Sequence, residues 1–431
     1  MSRPRGFSPA ALSSLVHEGI VAEHVDEIAH LWTLREIAIA APHYALEDIA
    51  ELDERLEANL EGLVFAGPRG LELAGEALEY GEGGELFCIT ALAIALCDSE
   101  GFEAAARQAS DPESGHAVVA AMSWLPFEFV EAQAEQLSRS SDPVLAAVGL
   151  ATCANHRQDR IGERLGNLCF AADQPLRARA LRAVGELGRA DLLDVLAQAG
   201  SLPDEDSRFA AAWSKMRLGQ RDPETIRALW AWIEAGSAHA DSAAMLAARS
   251  LAPAVAESWY QHLRTSPAHH RWAIEIAAQL GDPAAVDDLI AWSSVPELAR
   301  RAGQALTLIT GVDLDYEDLD GEAPEGFETG PTDDPADERV ELDPEENMPW
   351  PDPSLVAAWW ESNRARFTPG TRYLGGRRLS LPSCWTTLRL DRQPLRRAAA
   401  LELGLAAPST PVFEVRAPAP RQLRQLSQGV S

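Results

Sequence analysis

A unit of about 30 residues recurs along this chain, and this repetition constrains the fold more than any other feature of the sequence. Each unit begins at a short polar junction. The junctions lie at Asp111-Pro112, Ser141-Asp142-Pro143, Asp173-Gln174-Pro175, Asp204-Glu205-Asp206, Ala240-Asp241, Ser266-Pro267 and Val295-Pro296. Such a period is typical of helical pairs that stack, because each pair can bury its apolar face only against its neighbours.

Two units show the pattern most clearly. After Asp173 the apolar residues recur at helical spacing and Gly188 ends the helix; they are Leu176, Ala180, Leu181, Val184 and Leu187. In a second unit, the junction Leu280-Gly281-Asp282-Pro283 ends one helix and begins the next. Gly suits a left-handed C-cap, Asp accepts hydrogen bonds from free backbone N–H groups, and Pro is tolerated in the first turn. We therefore predict an all-α fold, an α-solenoid of helical repeats.

The sequence divides into four regions. Residues 1–83 predict a helical N-terminal cap, with helices at 22–41, 46–65 and 71–80, and residues 84–311 predict the repeat array. Residues 312–349 form an acidic insertion. Residues 350–431 predict a helical segment with an irregular tail, in which Asp352 caps a helix at 354–366; no fold is predicted for 375–395. Within the array, Arg177, Arg179 and Arg182 are expected to pair with neighbouring acids.

Charge and cysteine usage exclude several classes of protein. The 431 residues include 37 Lys+Arg and 66 Asp+Glu, a net charge of -29, which argues against nucleic acid as a partner. Since no apolar run approaches the roughly 20 residues that span a bilayer, and no hydrophobic signal core is present, we expect a cytoplasmic protein without a membrane partner. The five cysteines contain no C-x-x-C pair, which argues against a disulfide scaffold or a zinc module.

The acidic insertion has three interpretations. It carries 16 Asp and Glu against Arg339 alone, whereas residues 352–431 carry 12 Arg and five acids. First, it can fold back on the basic C-terminal region or on the array through charge pairing. Second, it can mimic nucleic acid or mask a basic partner, in which case its candidate binding residues are Asp333, Asp334, Asp337 and Glu338. Third, it can be a solvated linker.

Several segments resemble a family of proteobacterial HEAT-repeat proteins. They are Leu308–Leu314, Tyr316–Pro335, Leu342–Asn347, Pro349–Pro353, His30–Trp32, Ala41–Tyr44 and Leu52–Ala58. The segment Ser383–Leu388 departs from that family's pattern. The resemblance implies a genetic context, since such proteins are often encoded in type VI secretion clusters beside spike, tip and toxin components. It supplies no catalytic residues, and it implies an accessory adaptor, chaperone or immunity role.

Enzymatic motifs are scarce. The hydrolase, phosphate-loop and dinucleotide signatures do not occur in context. The alternative interpretation is a HEAT-based metalloenzyme with a His/Glu site near residues 17–30. Its metal ligands would be His17, Glu23, His24, Glu27 and His30, of which Glu23, Glu27 and His30 share one helical face.

Aromatic residues give the remaining candidates for binding. Trp230 and Trp232 stand two positions apart, so one helical face cannot bury both, and the exposed one is a candidate contact for a partner. We therefore expect a non-enzymatic protein-binding scaffold that needs no cofactor. Its expected partner is another protein, a type VI secretion effector or a spike or tip protein; a basic nuclease toxin fits the charge.

Overall fold

The computed structural model describes residues 17–79, 82–327, 343 and 345–428. Within these ranges the chain forms 22 α-helices and one short β-hairpin, which confirms the predicted all-α helical-repeat fold. The helices up to Arg217 are α1 Glu18–Ala38, α2 Leu46–Ala66, α3 Pro68–Leu78, α4 Gly83–Ala95, α5 Ser99–Ala106, α6 Pro112–Trp124, α7 Phe127–Ser138, α8 Pro143–Asn155, α9 Arg164–Leu168, α10 Gln174–Leu187, α11 Leu193–Ala199 and α12 Glu205–Arg217.

The later helices follow in the same pattern. They are α13 Pro223–Ala235, α14 Ala240–Ser250, α15 Pro253–Leu263, α16 His270–Leu280, α17 Val286–Trp292, α18 Pro296–Thr310, α19 Pro353–Asn363, α20 Leu381–Leu390, α21 Gln393–Ala406 and α22 Ala419–Gln428. Short 3₁₀ helices lie at Ala190–Leu192, Pro267–His269, Pro283–Ala285 and Arg364–Arg366.

The chain forms two compact units. The first lies within Met1–Ala40, Glu47–Ser214 and Ser409–Ser427, and the second within Ala41–Leu46, Lys215–Pro408 and Gln428–Ser431. The division of the sequence into regions 1–83, 84–311, 312–349 and 350–431 stays a prediction.

Alternate helices form the inner layer of each unit. In the first unit α4, α6, α8 and α10 pack successively on one another, and in the second α14, α16 and α18 do the same. These helices are rich in alanine and buried on most sides; α8, for example, buries every residue from Val148 to Ala154. Small side chains let the inner helices approach closely, so each repeat completes its core against the next one.

Four of the seven predicted junctions act as the sequence predicts, because the side chains of Asp111, Asp142, Asp173 and Asp204 accept hydrogen bonds from backbone N–H groups in the first turn of the following helix. Asp222, which is not at a predicted junction, caps α13 in the same way, whereas no N-cap side chain bonds the helices that begin at Ala240, Pro267 and Pro296. Gly188, Gly281 and Gly311 end inner helices in the left-handed conformation, with φ of 74°, 75° and 73°. Asp and Gly therefore set the helix boundaries that produce the repeat.

The three helices predicted before the array are present as α1, α2 and α3, although α1 begins four residues and α3 three residues earlier than predicted. Their apolar residues pack with those of α4 into one core, in which Ile28, Leu31, Leu56, Leu63 and Phe87 are fully buried. Burial of this apolar surface fixes α1 to α3 on the first inner helix.

The arginine pairs predicted for α10 are present. Arg177 Nη2 lies 2.6 Å from Asp204 Oδ2 across the next junction, and Arg179 Nη1 lies 2.8 Å from Glu186 Oε2 on the same helix. Arg182 also bonds Glu186, at 3.3 Å. These contacts confirm a structural role for the three arginines.

The sequence gives no prediction for residues 375–395. In the structure this region contains the turn and the second strand of a β-hairpin, followed by helix α20. Strands β1 Tyr373–Leu374 and β2 Arg377–Arg378 are antiparallel, and Tyr373 pairs with Arg378. Gly375 and Gly376, with φ of 57° and 73°, make the two-residue turn. The hairpin lies on the C-terminal ends of α16 and α18, because Tyr373 donates to the Gly281 carbonyl and Gly375 donates to the Leu308 carbonyl.

Candidate binding surface

The structure places the two candidate tryptophans differently. Trp232 is buried in α13, with 7% of its surface exposed. Trp230 is half-buried, and its ring lies 5.0 Å from that of Trp259 and 5.3 Å from that of His262, both on α15. Of the pair, Trp230 is therefore the one with more surface in solvent, and it is part of a small aromatic cluster.

Several acids of the insertion contact arginines of the second unit. Asp313 lies 2.5 Å from Arg392, Glu345 lies 2.5 Å from Arg271 and 3.1 Å from Arg301, and Asp343 pairs with Arg300. For these three acids, the interpretation in which the insertion folds back is correct. The candidate binding residues Asp333, Asp334, Asp337 and Glu338 lie outside the described residues.

The side chains proposed as metal ligands lie on or just before α1. His17, Glu23, Glu27 and His30 are exposed, and His24 is half-buried with its Nδ1 2.7 Å from Asn59 Oδ1. Glu27 lies 3.7 Å from Arg55. In the described part of the chain, no three His, Cys, Asp or Glu side chains are placed together to hold a metal ion. Metal analysis of the purified protein remains the test of that alternative.

Buried thiols supply no nucleophile at neutral pH. Burial raises the pKa of Cys153 and of Cys169 to about 12, and that of Cys384 to about 11. A thiol with such a pKa stays protonated, whereas attack and metal binding require the thiolate. These three cysteines are therefore parts of the core.

A more distinctive surface, which the sequence does not predict by itself, is an acidic stripe along α2. We define the stripe as Glu47, Glu51, Glu54 and Glu61, with Phe65 at its C-terminal end. All five side chains are exposed, and 81% of the surface of Phe65 is in solvent. Because residues three and four apart lie one above another on a helix, these positions share one face, about 27 Å long.

The surroundings of the stripe leave it strongly negative. Between Glu18 and Glu79 the chain has 15 acidic residues and 3 arginines. Arg35 is buried against Asp53 at 2.6 Å, Arg55 lies beside Glu27, and Arg69 bonds Glu72 at 2.8 Å and Glu18 at 3.1 Å. Among the described residues none pairs with the four glutamates of the stripe. The charge of the four glutamates is therefore not neutralised by an ion pair within the described part of the chain.

The inward face of α2 shows why the stripe points to solvent. Leu56, Leu60 and Leu63 are buried in the core with α1 and α4, and Asp53 is 2% exposed beside Arg35. Burying the leucines fixes the rotation of the helix, which in turn fixes the glutamates outward. The four-, three- and seven-residue spacings of Glu47, Glu51, Glu54 and Glu61 were visible in the sequence, but the stripe requires knowing which face of α2 is buried.

Comparison with known proteins leaves this surface as the main guide to function, because no protein-family model and no curated protein matches the chain. The helices of the described residues include none that is long and apolar enough to cross a bilayer.

Proposed function

We propose that this protein is a non-enzymatic helical-repeat scaffold that binds a basic protein through the acidic stripe of α2. The observation that carries the proposal is the row of four exposed glutamates, which form no ion pair with another described residue although Arg55 follows Glu54 on the same helix, ending in the exposed ring of Phe65. The glutamates attract and orient a basic partner, and Phe65 supplies an apolar contact at one end.

The charge of the whole chain supports this choice of partner. A net charge of -29 produces a negative field that speeds the approach of a basic protein and repels nucleic acid. Surface charges of this kind contribute more to association rate and selectivity than to affinity, so complex formation should weaken steeply as salt rises.

The resemblance to HEAT-repeat proteins of type VI secretion clusters supplies a biological context for the proposal. Within it, the protein acts in the cytoplasm as an adaptor, chaperone or immunity protein for an effector or for a spike or tip component. A nuclease toxin is the partner of this class that best fits the stripe, because a nuclease presents cationic groups to phosphates and the carboxylates of the stripe can bind the same groups.

The test is a pull-down from native cells with tagged protein, at low and at moderate salt, followed by mass spectrometry. One variant replaces Glu47, Glu51, Glu54 and Glu61 with Gln. A control variant makes the same charge change at four exposed glutamates elsewhere, namely Glu100, Glu128, Glu163 and Glu234. We expect wild type and control to capture a basic protein that salt releases, and the stripe variant to lose it. Equal capture by all three proteins would refute the proposal.

A further inference from the structure

The C-terminal segment of the first unit, residues 409–427, lies against the ends of several helices. Its first part has no regular structure between Ser409 and Val415, and its last part is α22, Ala419–Gln428. The segment contacts residues at the C-terminal ends of α1, α6, α8 and α10, the inner edge of that unit. We name the residues that receive it the edge groove: Arg35, Glu36, Asp53, Arg157 and Glu186.

Most of the hydrogen bonds between the segment and the edge groove use the segment's backbone. Val412 N donates to the Glu186 carbonyl at 2.9 Å, and Arg157 Nε donates to the Val412 carbonyl at 2.6 Å. Farther along, Arg35 Nη2 donates to the Arg416 carbonyl at 3.1 Å, and Ala419 N donates to Asp53 Oδ2 at 2.6 Å. Backbone contacts do not depend on side-chain identity, so the groove can accept other chains of the same conformation.

Three charged side chains of the segment also contact the first unit, and Arg421 is one of them, donating to the carbonyls of Ser123 and Leu125. Glu414 lies 2.8 Å from Arg157, and Arg416 lies 3.2 Å from Glu36. Val415, between them, is buried, so the segment places an acid and an arginine two positions apart around an aliphatic residue. Both ion pairs are made by residues that lie outside the helices of the segment.

The buried apolar residues of the segment are mostly small. Val415, Ala417, Pro418, Ala419 and Leu426 are buried, and Val412 and Phe413 are half-buried. The inner helix α8, in contrast, buries Val148, Leu150 and Cys153 in the core between its neighbours. A segment held by backbone hydrogen bonds, two ion pairs and the hydrogen bonds of Arg421 makes the kinds of contact that hold a peptide ligand.

We propose that the edge groove is a peptide-binding site, filled here by the protein's own C-terminal segment and open to a non-helical Glu-x-Arg segment of a partner protein that displaces it. This proposal rests on the proposed function only in that the partner is a protein. The groove lies on the buried side of α2, where Asp53 is, and the acidic stripe lies on the opposite side. The two contacts can therefore fail independently.

The test uses the full chain with a protease cleavage sequence inserted between Ser409 and Thr410, both of which are exposed. After cleavage, a fluorescent peptide with the sequence of residues 410–428 is added, and its anisotropy is followed while circular dichroism monitors helix content. We expect the peptide to exchange into the groove, with the helix signal of the protein otherwise kept. Replacing Glu414 and Arg416 of the peptide with Ala should weaken binding at least about tenfold, whereas a Leu423→Ala peptide, altered at an exposed position, should bind unchanged.

Hydrogen exchange of the intact wild-type chain gives a second readout, which does not require an altered protein to fold correctly. We expect the amides of Val412 and Ala419 to exchange at least about a hundredfold faster than those of Leu181 and Val184 in α10, through local release of the segment. Equal protection, or loss of helix whenever the cleaved segment leaves, would show that the segment is an integral part of the core. A dimer that exchanges this segment between two copies would assign the groove to self-association and overturn the proposal.

A Glu47→Gln, Glu51→Gln, Glu54→Gln, Glu61→Gln protein should bind the fluorescent peptide like wild type. If the pull-down shows no role for the acidic stripe, the peptide-binding result is therefore unaffected. If the peptide does not bind, the pull-down result is unaffected.

Discussion

Arg301 of α18 holds Asp241 of α14 through two hydrogen bonds, with Nη1 2.8 Å from one carboxylate oxygen and Nη2 2.9 Å from the other. Its Nε donates to Glu345 of the acidic insertion at 3.1 Å, and Glu275 of α16 lies 3.9 Å away. Burial opposes the charge of Arg301, but these acids outweigh it and raise its pKa. One guanidinium thus connects three inner helices and the insertion.

Replacing Arg301 should destabilise the second unit strongly. Arg301→Gln leaves the buried carboxylate of Glu345 with one fewer cation and removes the link between α14 and α18, which should cost about 3 kcal/mol of unfolding free energy. Urea unfolding measures this change. The control is Arg264→Gln, whose ion pair with Asp288 is more exposed and should cost less than about 1 kcal/mol. Similar losses in both variants would contradict the role given to Arg301.

The second prediction concerns the close approach of Tyr373 to Gly281. Gly281 has φ of 75°, and a Cβ atom there would lie 2.2 Å from the Tyr373 carbonyl oxygen. Because both the left-handed backbone and the contact oppose a side chain, Gly281→Ala should lower thermal stability well beyond the usual penalty. Gly370 is the matched control, with φ of 78° and open space around the position of a Cβ.

Gly370→Ala should cost only about 1 to 2 kcal/mol, the penalty of a left-handed alanine. Calorimetry should therefore give a clearly lower melting temperature for Gly281→Ala than for Gly370→Ala. Equal melting temperatures would mean that the Tyr373 carbonyl oxygen does not exclude a side chain at position 281.

The third prediction is that the free energy of unfolding depends on pH through the carboxyl group of Glu186. Burial would raise its pKa, but Arg179, Arg157 and Arg182 outweigh burial and lower it from 4.5 to about 2. A carboxyl group with a lowered folded pKa stabilises the protein above its unfolded pKa. That stabilisation is lost as pH falls from about 4.5 toward 2.

The order of magnitude at neutral pH is about 3 kcal/mol, from about 1.4 kcal/mol per pKa unit. Glu186→Gln should therefore be less stable than wild type at pH 7, and the difference should shrink below pH 4. Denaturation curves across this range provide the measurement. A constant difference between the two proteins at every pH would exclude this origin of acid sensitivity.

The fourth prediction concerns salt. If the acidic stripe carries partner binding, neutralising its four glutamates should weaken the complex about 30-fold at low salt, taking about 0.5 kcal/mol for each exposed contact. The effect should fade near molar salt, where the screening length is about 3 Å. Titration of the captured partner at several salt concentrations measures both the loss and its slope. A loss that is the same at every salt concentration would point to misfolding of α2 rather than to its charge.

Much of the fold could be predicted from the sequence because its determinants are local. The Asp-Pro starts and Gly stops act within one helical turn, and the alanine-rich period of about 30 residues identifies stacked pairs. The segment around Tyr373 and residues 409–418 could not be predicted, because their positions depend on contacts with helix ends far away in sequence, such as Gly281 and Glu186.

The candidate site is harder to predict from the sequence than the fold. The glutamate spacing on α2 is present in the sequence, but the many other acids conceal it until the burial of Leu56, Leu60 and Leu63 shows which face is outside. The acids of the insertion are just as prominent in the sequence, but Glu345 among them pairs with Arg271 of the same unit. Helical spacing shows that Trp230 and Trp232 cannot share a buried face, but only tertiary packing places Trp232 in the core.

The most direct test of the central claim is site-specific photo-crosslinking in native cells. A photoreactive phenylalanine analogue replaces Phe65 at the end of the stripe, and in a control protein it replaces Leu390, which is 67% exposed in the second unit. The proposed function predicts a covalent adduct with one basic protein from position 65 and none with that protein from position 390. If the partner is captured yet crosslinks from position 390 and not from 65, the stripe of α2 is not the binding surface.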